Sequence, residues 1–216
     1  MGTVPKVFSI GAANLALNWT AVELFSEGAF SVEHADLTGF GTTMHQGGFQ
    51  AALDQSEDTL RRVIQLLKPS VVVVASKGLN ILTHLADTGI YTGPSVLLSP
   101  IPNVCTLVPG ETWEEQWSAS MSVLADAVDG PIGIGVGDSP DEQSLIKDMM
   151  DEAGVCGSLE EEVVGGRVSF RQCSNWFLRS FPGDHQWKNQ RRNAINVASL
   201  IKEVLWMADW TDISRN

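Results

Sequence analysis

Val71-Val72-Val73-Val74-Ala75-Ser76-Lys77-Gly78 runs directly into Leu79-Asn80-Ile81-Leu82-Thr83-His84-Leu85-Ala86. Four valines after Pro69 read as a strand buried on both faces. The next segment carries Leu79, Leu82 and Leu85/Ala86 on one side, which reads as a helix. A serine at the apex of a sharp strand-to-helix turn is thrust out at the carboxyl end of a parallel sheet. There its hydroxyl can meet a base, and backbone N–H groups at the helix start can receive a developing oxyanion. Ser76 is therefore the leading nucleophile. Its structural alternative is a helix cap, a role serine fills often. The usual turn is Gly-x-Ser-x-Gly; here Gly78 supplies the second glycine and Val74 stands at the first.

Outward from this turn, strand-like runs alternate with amphipathic runs. The expected strands are Lys6–Ile10, Phe30–Leu37, Val71–Ala75, Ser95–Ser99, Ile132–Val136 and Val168–Cys173. Between them, Leu60, Val63, Ile64 and Leu67 share a helical face, as do Trp113, Trp117, Met121 and Leu124, and Leu145, Met149 and Met150. A last helix carries Ile195, Ala198, Ile201, Val204 and Leu205. Strands alternating with helices predict a three-layer α/β/α sandwich around a mainly parallel sheet of about six strands, in one domain spanning residues 1–216. Thr38–Gln50 and Ser174–Lys188 read as irregular loops that follow strands and frame a site.

Composition bounds the function. The 216 residues carry a net charge of −12, so an extended phosphate backbone is repelled and nucleic acid is not an expected partner. Lys188, Arg191 and Arg192 read as decoration of a helix face. No apolar run approaches the roughly 20 residues that cross a bilayer, and the first residues lack the charged-then-apolar pattern of a signal peptide. Cys105, Cys156 and Cys173 are too few and scattered for a disulfide framework, which points to a reducing, cytoplasmic compartment. No His-x-x-x-His or Cys-x-x-Cys spacing suggests a metal site, and no cofactor motif stands out. Gly133-Ile134-Gly135-Val136-Gly137 lies within a strand and lacks the Gly-Lys-Ser/Thr of a phosphate loop.

A serine nucleophile needs a base, and the base an orienting acid. Of four histidines, His34 lies in a strand and His45 in a loop. His84 falls eight residues beyond Ser76 on one helix, about 12 Å along its axis and out of reach. His185, in Phe181-Pro182-Gly183-Asp184-His185-Gln186-Trp187, comes off a strand end ahead of the last helix and is the best-placed base. For the acid, Asp141 and Asp138 compete after the strand Ile132–Val136. Asp141 is preferred, at the mouth of the helix Glu142–Ala153, where it could equally cap that helix. The chain order is Ser76, Asp141, His185, each following a strand. Cys173 as nucleophile is a minor alternative; it reads as a small packed hydrophobe.

With these residues assigned, the chain resembles the α/β-hydrolase superfamily, a small lidless member of the dienelactone-hydrolase or carboxylesterase kind. The resemblance rests on Lys6–Trp19, on Asp36-Leu37-Thr38-Gly39-Phe40-Gly41-Thr42-Thr43, on Val71–Gly78 with Ser95–Pro100, and on Gly137–Glu142 with Gly183-Asp184-His185. It implies Ser76 as nucleophile, His185 as base and then acid, and Asp141 as its orienter. It further implies an oxyanion hole from the backbone N–H groups of Lys77 and Ala12, and one helix without a cap domain between Ile101 and Gly130. Ile10 stands where many relatives have histidine, and Val74 where they have a small residue. The implied activity is hydrolysis of a small carboxylic ester, thioester or lactone. A non-catalytic small-molecule-binding protein on the same scaffold is the alternative.

Overall fold

The computed structural model describes residues 3–11, 17–36, 40–76, 78–100, 113–137, 140–152, 154, 160–164, 167–171, 176–182 and 190–214. Strands β1 (Lys6–Gly11), β2 (Ser31–Asp36), β3 (Val71–Ala75), β4 (Ser95–Leu98), β5 (Ile132–Gly137), β6 (Glu160–Val164), β7 (Arg167–Arg171) and β8 (Trp176–Phe181) form one sheet in the order β2-β1-β3-β4-β5-β8-β7-β6. The first six in that order are mutually parallel; β7 runs antiparallel to β8 and to β6. The helices are α1 (Trp19–Phe25), α2 (Phe40–Leu67), α3 (Gly78–Asp87), α4 (Trp113–Ala127), α5 (Pro140–Glu152) and α6 (Gln190–Ser214). Among the described residues, no helix is long and apolar enough to cross a membrane.

The architecture is the expected three-layer sandwich. The strand period of two splits its core in two. Phe8, Ile10, Val72, Val74 and Leu97 point to one face, where Leu53 and Leu60 of α2, Leu82 of α3, Trp117 of α4 and Met149 of α5 cover them. Val7, Val71, Val73, Val96 and Phe177 point to the other, against Val22 of α1 and Val197, Leu200 and Val204 of α6. The four valines of β3 thus feed both cores, at most 1% exposed.

The structure changes three of the expected elements. The segment expected as loop over Thr38–Gln50 is helical from Phe40 onward. Ser174–Lys188, also expected as loop, contains β8, which completes the parallel set. The strand expected over Val168–Cys173 is β7 at Arg167–Arg171, an antiparallel strand paired with the unforeseen β6. Six parallel strands are present as expected, but among the described residues the sheet has eight strands.

Candidate functional site

The chain leaves β1 for β2 on one side and later returns past β1 to β3 on the other. Its helices diverge at the same place: α1 follows β1 onto one face and α3 follows β3 onto the other. Such a reversal opens a crevice at the carboxyl ends of the two strands, where α/β sheets place their ligands. Ser76 stands at this crevice.

Backbone hydrogen bonds hold both sides of Ser76. Its N–H donates to the Leu98 carbonyl at 2.9 Å, and its own carbonyl accepts from Leu79 N–H at 3.0 Å. Ser76 adopts φ 47°, a left-handed conformation rare for a residue with a side chain. Two residues on, a Cβ built at Gly78 would lie 2.8 Å from the Val74 Cβ. The close crossing of strand and helix is relieved by Gly78 on the helix side, opposite Val74 on the strand. Val74 therefore keeps its place in the core, 1% exposed. Ser76 itself is half-buried.

Its neighbour in register repeats the strain. Ala75 pairs with Leu98, so Ser99 stands beside Ser76, and Ser99 has φ 42°. Ser99 N–H donates to Gly135 O at 2.7 Å, and the Trp117 indole N–H donates to the Pro100 carbonyl. Two adjacent strands thus end in left-handed serines at the same level. Backbone held in sparse conformations by its surroundings gathers at functional sites.

The remaining expected site residues divide as follows. Asp141 lies in the first turn of α5, behind Pro140 at the first helical position, and is exposed. Gln143 ties that turn to the sheet, donating to Ser180 Oγ at 2.8 Å and to Gly137 O at 3.3 Å. The beginning of α5 and the end of β8 are thereby bound together. His185, Ala12, Lys77 and Asp138 lie outside the described residues. So does Cys173. His45 falls in α2 rather than in a loop.

The other two histidines have partners away from Ser76. His84 Nε2 lies 2.9 Å from Glu57 Oε2, fastening α3 to α2, and within α2 Arg61 Nη2 lies 2.8 Å from Glu57 Oε1. The Arg61 guanidinium and then the His84 imidazole hold the Glu57 carboxyl below its ordinary value of 4.5. Elsewhere Tyr91 donates to Pro94 O at 2.6 Å, and burial pushes its phenol well above the usual range.

His34 makes the constellation that sequence reasoning missed. Its Nδ1 lies 3.2 Å from Ser9 Oγ, and its ring stacks on Trp19 with centroids 5.8 Å apart and planes 26° apart. Ser9 is buried on β1, directly beside His34 in register. The signal lay in the pairing of two strands 25 residues apart, which periodicity along one strand does not reveal. Trp19 and His34 also line an open groove of about 700 Å³ together with Phe30 and Val32, beside β2 at the edge of the described sheet. Glu23 flanks it and accepts the outward Val32 N–H at 2.7 Å, which blunts that edge against strand pairing.

Among the described residues, no group of three or more His, Cys, Asp or Glu side chains could hold a metal ion. Compared with known proteins, the chain matches no family model, no curated protein and no solved structure.

Proposed function

We propose that the protein is a serine hydrolase of the α/β-hydrolase kind, cleaving a small carboxylic ester, thioester or lactone in the cytoplasm. The observation that carries this reading is the left-handed Ser76 between β3 and α3, pressed against the strand through Gly78 and Val74. A strained strand-turn-helix serine at a topological switch point is the setting in which a hydroxyl becomes an exposed nucleophile.

In this reading Ser76 Oγ attacks the substrate carbonyl carbon while its proton passes to His185. The amides of Lys77 and Ala12 receive the oxyanion. Collapse of the tetrahedral intermediate breaks the bond to the alcohol, which leaves with the proton held by His185. Water then attacks the acyl-enzyme by the same base, releasing the acid and restoring Ser76. Asp141 orients the imidazole. No metal or cofactor is needed for these steps. The net charge of −12 favours neutral substrates over polyanions.

One observation favours a second reading, a non-catalytic small-molecule-binding protein on the same scaffold. Asp141 is exposed in the first turn of α5, where water weakens its hold on an imidazolium. Intact mass after treatment with a fluorophosphonate separates the two. The hydrolase reading expects one adduct on the native protein and none on Ser76→Ala. A folded native protein that takes no adduct defeats it and leaves the binding reading, for which a bound ligand is recovered unchanged.

A further inference from the structure

We propose that the groove between α1 and β2 binds a small organic cation, an ammonium group carried on an apolar or aromatic body. The inference stands apart from the hydrolase reading and uses none of the residues assigned to that chemistry.

The groove follows from thin cover on one face of the sheet. Among the described residues, α2, α3, α4 and α5 pack on one face, but α1 and α6 alone on the other. A helix of seven residues such as α1 spans about 10 Å, whereas the six residues of β2 span about 20 Å. The α1 side of β2, at the edge of the described sheet, is therefore left partly bare. Val32 there is half-buried and His34 exposed, while Phe30 beneath them is 2% exposed. The space of about 700 Å³ falls within the range of small-molecule sites, about 300–1,000 Å³.

The lining selects the ligand by three features. Leu24 stands in the wall 73% exposed, a large apolar side chain left in water beside the apolar Phe30 and Val32. Trp19 contributes an indole, the ring that attracts cations most strongly. Glu23, one helical turn beyond Trp19, contributes a carboxylate. Its Oε2 accepts the Val32 N–H at 2.7 Å, which holds the group against the strand, and among the described residues no lysine or arginine pairs with it. Glu27 follows one turn later, with Lys202 Nζ 3.8 Å away and 85% of its side chain exposed, so that pair neutralises little. An unpaired carboxylate beside an indole and an exposed leucine complements a positive charge on an apolar body. With a net charge of −12, the same surface repels anions. An extended peptide is disfavoured, because Glu23 already holds the Val32 N–H that an added strand would need.

The test is a titration of the isotope-labelled full chain, followed by nuclear magnetic resonance, with benzyltrimethylammonium as probe. Benzyl alcohol and phenylacetate serve as neutral and anionic controls. The cation should shift the Val32 amide and the Trp19 indole N–H saturably, with a dissociation constant on the order of a millimolar, as suits an open groove. Benzyl alcohol should bind about threefold or more weaker, and phenylacetate should leave both signals in place. Glu23→Gln keeps an oxygen for the Val32 N–H and should weaken the cation about threefold or more while sparing benzyl alcohol. Leu24→Ser, at an exposed position, should weaken both. Asp87→Asn removes an exposed carboxylate from α3, on the opposite face, and should change neither. Absence of saturable shifts at Val32 and Trp19 overturns the site. Equal weakening by Glu23→Gln and Asp87→Asn also overturns it, because diffuse attraction to the net charge then accounts for binding. A short Lys-Leu-Lys-Leu peptide that shifts these signals where the small cation does not would assign the groove to a basic peptide and overturn the small-molecule assignment.

Discussion

Gly78 shows how much one missing methyl group decides. The turn after β3 brings positions 74 and 78 together, and the space left for a Cβ at 78 is 2.8 Å from that of Val74. Gly78→Ala is expected to destabilise the protein by about 1–3 kcal/mol, the usual effect of overpacking a close contact. It should slow labelling of Ser76 as well, since the turn must shift to make room. Adding Val74→Gly, which removes the Cβ that the new methyl would meet, should recover part of both, so that the double variant is more stable than the sum of the single changes implies. Chemical denaturation of the four proteins checks this; strict additivity would mean that positions 74 and 78 do not press on each other. The Ser-x-Gly of the turn was legible in the sequence. That Gly78 alone could accommodate a valine was not, because the sequence names the two residues but gives no distance between them.

At the scale of elements, Glu57 fastens α2 to α3 through His84 and pairs within α2 with Arg61. Its folded carboxyl titrates below the ordinary 4.5, so the stabilisation is fully present above about that pH and is lost as pH falls through the lowered value. The thermal midpoint of native protein should exceed that of Glu57→Gln at neutral pH. The gap should close as pH drops below 4.5, and it should narrow in high salt because the pair is accessible to solvent. A gap that did not shrink at all as pH fell would rule the carboxylate out as its source. The elements differ in how plainly the sequence marks them. Strands β1 to β5 and helix α3 carry strong periodic or continuous apolar patterns and lie where those patterns place them. Gly39, Gly41, Gly47 and Gly48 signal a loop and mask the beginning of α2 in the sequence. Glycine weakens a helix by only about 1 kcal/mol per residue, and burial of Leu53, Leu60 and Ile64 farther along anchors the whole length. In β8, the residues Trp176, Phe177 and Leu178 are all buried. Their aromatic content was a strand signal that the turn residues after Phe181 masked.

At the scale of the molecule, the sheet joins two cores that share the same strands. Adjacent residues such as Val72 and Val73 belong to opposite cores, so loss of either core should release both. Leu82→Ala, on the α3 side, and Leu200→Ala, on the α6 side, should each cost about 2–5 kcal/mol. Each should lower a single unfolding transition seen alike by near- and far-ultraviolet circular dichroism. Two separable transitions in either variant would show that the layers unfold independently.

The sequence by itself determined the layered α/β class, the five leading strands and the serine turn, because periodicity and turn chemistry are local and leave their mark within a few residues. It also ordered Ser76, Asp141 and His185 along the chain. Only the tertiary structure decided the strand order, the antiparallel pair β6 and β7, the exposed position of Asp141, and the meeting of His34 with Ser9, Gly11 and Trp19. Those depend on register and crossing between segments tens of residues apart, where side chains are brought together by the pairing of the backbone and not by their spacing along it.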